Sequence, residues 1–84
     1  MNLLTVEVIC PSVSRSFDFR IPPKMTAADV KARLIDDIRT FEDNAELFAD
    51  AKKVGIYCEK TGRIPESSDL ESAGVKCGDR IMLI

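Results

Sequence analysis

Cys10, Cys58 and Cys77 are the thiols of this 84-residue chain, which contains no histidine. A thiol attacks as its thiolate, so catalysis needs a nearby base or a depressed pKa, and the commonest base is missing. Cys58 lies in an alternating apolar run and reads as a small core residue, whereas Cys77, beside Gly78, reads as a turn residue. An odd number of widely spaced cysteines with no C-x-x-C pair cannot make a complete disulfide framework, and a reducing compartment is the simpler reading. Zinc has lost its usual nitrogen ligand. The acids Asp36, Asp37, Glu42, Asp43, Glu46 and Asp50 cluster in sequence, but they lack the regular spacing and central glycine of a calcium loop. They read as a solvated acidic face that could attract a basic partner surface. No catalytic, cofactor-binding or metal-ligating residue is expected.

Fourteen acids against twelve bases give a net charge of −2, and no basic run exceeds Lys52-Lys53. Releasing counterions from phosphates takes a basic stripe, so nucleic acid is not an expected partner. A hydrophobic share of 45% with 31% charged residues is that of an ordinary soluble globular protein, and the length fits one domain, residues 1–84. The opening MNLLTVEVIC has no basic n-region and is interrupted by Thr5 and Glu7. It is neither a signal peptide nor a membrane span, and a cytoplasmic location without membrane insertion is expected.

The elements that would position any site follow from periodicity. Residues 3 to 10 alternate, with Leu4, Val6, Val8 and Cys10 on one face and Leu3, Thr5, Glu7 and Ile9 on the other. Pro11 ends the ladder, Ser12 to Ser14 turn, and Ser16 to Ile21 return with Phe17, Phe19 and Ile21 on one face, making a β-hairpin. Thr26 is a good N-cap with Asp29 three residues on, and Ala27, Val30, Leu34, Ile38 and Phe41 form the stripe of a helix from about Ala27 to Arg39. Between Thr40 and Lys53, Asn44 could cap a short second helix carrying Ala45, Phe48 and Ala51. A third strand spans Val54 to Glu59, Lys60-Thr61-Gly62 turn, and Ile64-Pro65 allow at most a short edge strand. Ser68 or Asp69 can cap one helical turn through Ala73, ended by Gly74. Gly78-Asp79 turn into a final strand, Arg80 to Ile84.

A hairpin, a crossing helix and later strands place the last strand parallel to the first. The result is an α+β fold of β-grasp type, a mixed four- to five-stranded sheet wrapped around one main helix. The closing segment from Leu70, L-x-x-A-G-V-x-x-G-D-R-I-x-L-I, resembles that of ubiquitin-like proteins. It is most similar to the small bacterial YukD/EsaB family, where a Gly-[Ile/Val]-x-x-Gly-Asp-Arg turn leads into the terminal strand. The stretches TVEV, FDFRIP and MTAADVKARLIDDI match that family in order and spacing, and the resemblance covers nearly the whole chain, least between Thr40 and Lys53. It implies a ubiquitin-like, non-enzymatic accessory or regulator of a type VII secretion system. Such systems export small helical WXG-type proteins from Gram-positive bacteria, driven by a membrane ATPase. The implied partners are proteins, the cytosolic parts of that machinery.

Ubiquitin-like modifiers and sulfur carriers react through a Gly-Gly tail beyond the last strand, because an activating enzyme must thread a narrow, side-chain-free segment. Met82, Leu83 and Ile84 are bulky and belong to the strand, so conjugation or thiocarboxylate chemistry is the disfavoured alternative. A ubiquitin-like adaptor of an unrelated assembly is another. If Ile81 and Leu83 face the core, Met82 and Ile84 face outward, with Tyr57 at the equivalent position on the third strand. Such a patch is of the kind partners dock on, with Val13 extending it and Arg80 offering a rim ion pair to an acidic partner. The plain alternatives are isolated exposed apolar residues, a second helix covering them, a turn valine and a solvated arginine.

Overall fold

A computed structural model describes residues 3–84. Alternation makes the hairpin: β1 (Leu4–Cys10) and β2 (Arg15–Ile21) pair antiparallel through seven consecutive residue pairs, from Leu4 with Ile21 to Cys10 with Arg15. Pro11–Val13 forms a 3-10 turn at the tip, and Ser14 takes a left-handed conformation to close it. Val6, Val8, Cys10 and Ile21 are buried as their spacing requires.

The helix α1 (Ala27–Phe41) begins where Thr26 Oγ1 accepts the Asp29 amide at 3.3 Å. Two further N-terminal amides find partners in a distant segment, Ala27 on the Ser68 carbonyl at 2.7 Å and Ala28 on the Glu66 carbonyl at 3.0 Å. The helix runs two residues beyond the expected Arg39. Its buried face is Ala27, Val30, Lys31, Leu34, Ile35 and Ile38. Phe41 was expected on that face and instead lies 57% exposed, stacked on Phe17 and Phe19 with ring centroids 5.7 and 6.1 Å away.

The second helix expected from Asn44 does not form. Residues 45–48 form turns and 49–50 a bend, followed by a 3-10 turn at Ala51–Lys53. Asp43 and Phe48 have φ of 50° and 57°, a left-handed conformation that breaks any α-helical run. Arg39 holds the segment in that shape, with its guanidinium donating to the Leu47 and Phe48 carbonyls at 2.6 and 2.8 Å.

Beyond it lie β3 (Ile56–Cys58), β4 (Gly62–Arg63) and β5 (Arg80–Leu83). The regular ladder of β3 is shorter than the expected Val54 to Glu59, yet Gly55 exchanges both backbone hydrogen bonds with Ile84, at 2.7 and 3.1 Å, and the Glu59 amide reaches the Arg80 carbonyl at 2.9 Å. The edge strand falls at Gly62–Arg63 rather than Ile64-Pro65, because Ile64 drops into the core. Asp69 caps the following turn by accepting the Ser72 amide at 3.2 Å; Ser68 instead donates to the Asp69 carbonyl. Gly74 ends that turn with φ of 86°.

The sheet order is β2-β1-β5-β3-β4, with β5 parallel to β1 and antiparallel to β3. This is the β-grasp, ubiquitin-like fold: a five-stranded mixed sheet carrying one main helix. The buried apolar residues of α1 meet Val6, Val8, Ile56, Cys58, Ile81 and Leu83 of the sheet in one core. Among the described residues no helix is long and apolar enough to cross a membrane.

Candidate protein-interaction face

With one face of the sheet spent on α1, alternation assigns the other to the remaining side chains. Strand register aligns them. Ile9 lies opposite Met82 across the parallel pair, and Met82 lies opposite Tyr57 across the antiparallel one. The row continues to Ser16 on β2 and Arg63 on β4. At its centre Ile9, Met82 and Tyr57, all half-buried, make an apolar band across three strands. Ile84, 60% exposed, lies at one corner opposite Gly55.

Gly55 shapes this corner. A Cβ built on it would lie 2.6 Å from the Tyr57 ring, so the ring occupies the space a side chain would fill. The tyrosine is laid flat along β3 by that missing methyl. Covering a strand glycine with an aromatic neighbour restores packing that the glycine lacks.

A charged row borders the band. Arg80 lies opposite Glu7, and its Nε is 3.0 Å from the Glu7 carboxylate, while the Glu59 carboxylate lies 3.5 Å from the other arm of the guanidinium. Two acids therefore share one base inside the chain. Arg80 adjoins the band as the sequence placed it, already paired. The turn delivering it is fixed by Asp79, whose carboxylate accepts the Lys76 amide at 2.9 Å and lies 3.4 Å from Lys60. The Lys76 hydrogen bond, then Lys60, holds that carboxyl below the usual aspartate range.

The structure thus brings Tyr57, Met82, Ile84 and Arg80 together. It sets Val13 apart: the side chain is half-buried against the core cluster on the helix side of the sheet. Ile9 joins this band although it was not among the residues expected in the patch. Alternation had placed it outward, and a parallel alignment of first and last strands would have set it beside Met82.

Cys10 and Cys58 are buried and Cys77 is exposed, all as free thiols. Burial pushes the Cys10 thiol up, which keeps it protonated in the core. Among the described residues, no group of three or more His, Cys, Asp or Glu side chains is placed to hold a metal ion. The acids at the end of α1 disperse, Glu42 pairing with Arg15 at 3.0 Å and Asp50 with Lys53 at 3.8 Å.

No protein-family model and no curated protein matches the chain. Solved structures do match in fold. The ubiquitin-like domain of the Mycobacterium tuberculosis type VII secretion system protein ECCD1 is 14% identical, with a TM-score of 0.72 over 100% of this chain and 99% of that one. Ubiquitin of Caldiarchaeum subterraneum is 15% identical, with a TM-score of 0.71 over 99% and 92%. A ubiquitin-like domain of an Arabidopsis thaliana protein is 18% identical, with a TM-score of 0.70 over 100% and 78%. At these identities the likeness is one of fold, and the fold of this chain is ubiquitin-like.

Proposed function

We propose that this chain is a non-enzymatic protein-interaction module that docks through the outer face of its sheet. It acts in the cytoplasm as an accessory or regulator of a type VII secretion system. The observation that carries the docking reading is the band of Ile9, Met82 and Tyr57, aligned across three strands on the face that α1 leaves open. An apolar centre with a charged border is the usual anatomy of a surface that closes on a partner. Support for the secretion context comes from the YukD/EsaB resemblance of the residues and from the fold shared with the ECCD1 domain over nearly the whole of both chains. The partner would be a cytosolic part of the secretion machinery, meeting the band with apolar side chains.

The test is affinity capture from the native host with the wild-type chain, Tyr57→Ala and Met82→Ser. Truncating a residue at the centre of a docking surface costs about 1–2 kcal/mol or more, roughly tenfold in affinity. Each variant should therefore lose the captured partner while keeping its fold by circular dichroism. Capture undiminished in both variants would discard the outer face as the docking surface. Capture of proteins unrelated to secretion would discard the context while leaving the surface standing.

A further inference from the structure

The sheet has two edges of very different character. β4 offers two residues, whereas β2 offers seven in unbroken register, with no bulge and no internal proline. The amide of Glu7 and the carbonyl of Thr5 serve β5, through Asp79 at 3.1 Å and Gly78 at 2.7 Å. The alternate residues of β1 therefore serve β2, and by the antiparallel pattern the amides and carbonyls of Ser16, Asp18 and Arg20 point away from the sheet. A free edge of this length is a template for another strand. Asp18 and Arg20 are exposed, and among the described residues neither has an ion-pair partner.

We propose that β2 pairs antiparallel with β2 of a second copy of this chain, in the register that sets Phe19 opposite Phe19 on a twofold axis. Parity limits the choices, since only registers matching outward-pointing residues can form hydrogen bonds. Centring the axis on Asp18 or on Arg20 puts like charges opposite each other, and centring on Phe17 matches Asp18 with Ser16. Centring on Phe19 matches Asp18 of each copy with Arg20 of the other, two cross-strand ion pairs, and Phe17 with Ile21. Pro22, which has no amide hydrogen, bounds the ladder at that end. The twofold axis is perpendicular to the sheet, so both α1 helices lie on one side of a continuous ten-stranded sheet. The exposed Phe41 of each copy, stacked on Phe17 and Phe19, then lies beside the junction. The outer-face band stays open in both copies.

Sedimentation of the full chain under reducing conditions, which prevent disulfides through exposed Cys77, reads the outcome. Rising concentration should double the mass from 9.3 kDa and slow amide exchange at Asp18 and Arg20. Asp18→Arg and Arg20→Asp should each remain monomeric, because each sets two like charges opposite two others. Their equimolar mixture should form a dimer of one copy of each, and the doubly exchanged chain Asp18→Arg with Arg20→Asp should self-associate as the wild type does. These positions are solvent-exposed, so the native circular dichroism and NMR spectra should persist in every variant. A wild type that stays monomeric into the millimolar range, single variants that still dimerise, or a mixture that stays monomeric would each overturn the pairing.

Discussion

Lys31 is the one buried charged residue of α1, 8% exposed on a face that helical periodicity reserves for apolar side chains. Its Nζ donates to the Val54 carbonyl at 3.1 Å and pairs with the Glu66 carboxylate, tying the helix to the chain before β3 and to the segment before the Asp69 turn. A lysine at this spacing reads as surface in the sequence, because its partners lie 23 and 35 residues away. Lys31→Met keeps the aliphatic stem but strands the Val54 carbonyl, which should lower stability by about 1–3 kcal/mol in urea denaturation. Lys31 also holds the Glu66 carboxyl below its ordinary value, first by the hydrogen bond and then by charge, and the Lys76 amide does the same for Asp79. For both groups the folded pKa lies below the unfolded one, so the stability they contribute is full above 4.5 and 3.8 respectively and is lost as pH falls through the folded values. The wild-type midpoint should therefore hold steady on mild acidification and then decline. Glu66→Gln should be weaker at neutral pH and converge on the wild type in acid; parallel curves would show that the pair contributes nothing.

At the scale of elements, the hairpin, α1 and the final strand were legible because each carries a full period of apolar residues between clear stops: Pro11, Thr26, Gly78. The segment from Glu42 to Lys53 was not. Its apolar residues Ala45, Phe48 and Ala51 have helical spacing, but the shape is set by Arg39, a side chain outside the segment that caps two of its carbonyls. Arg39→Ala should speed amide exchange across residues 44–50 while leaving exchange in β1 and β5 unchanged; equal exchange in both chains would assign that shape to the segment itself. The turn into β5 rests on Gly78, with φ of 88° and open space where a side chain would go. Gly78→Ala should cost about 1–2 kcal/mol from the left-handed backbone alone, read as a shift in the urea midpoint. Gly55→Ala tests a different property, because there the added methyl meets the Tyr57 ring. Tyr57 is the single tyrosine and there is no tryptophan, so intrinsic fluorescence should report a more solvent-exposed ring in that variant.

For the whole molecule, the decisive fact is that the last strand in sequence is the middle strand in space. β5 lies between β1 and β3, so the two halves of the sheet have no direct ladder without it. The crossover rule made the parallel pairing of first and last strands readable from the order of elements. The composition of the outer band needed the register as well, since Ile9 and Met82 stand 73 positions apart and meet only when β5 is in place. Removing residues 80–84 takes away Ile81 and Leu83, both fully buried. At about 1.5–3 kcal/mol per buried side chain, those two alone account for roughly 3–6 kcal/mol. A small domain holds a margin of only about 5–15 kcal/mol, and the ladders to β1 and β3 are lost in addition. A chain ending at Asp79 should therefore show no cooperative urea transition and a collapsed amide spectrum, and a native-like spectrum would contradict the central role of β5. The surface proposed for docking and the fold's stability thus depend on the same strand: Met82 faces out from between two core residues. For that reason substitutions on the band, not deletions of the strand, are the ones that can separate binding from folding.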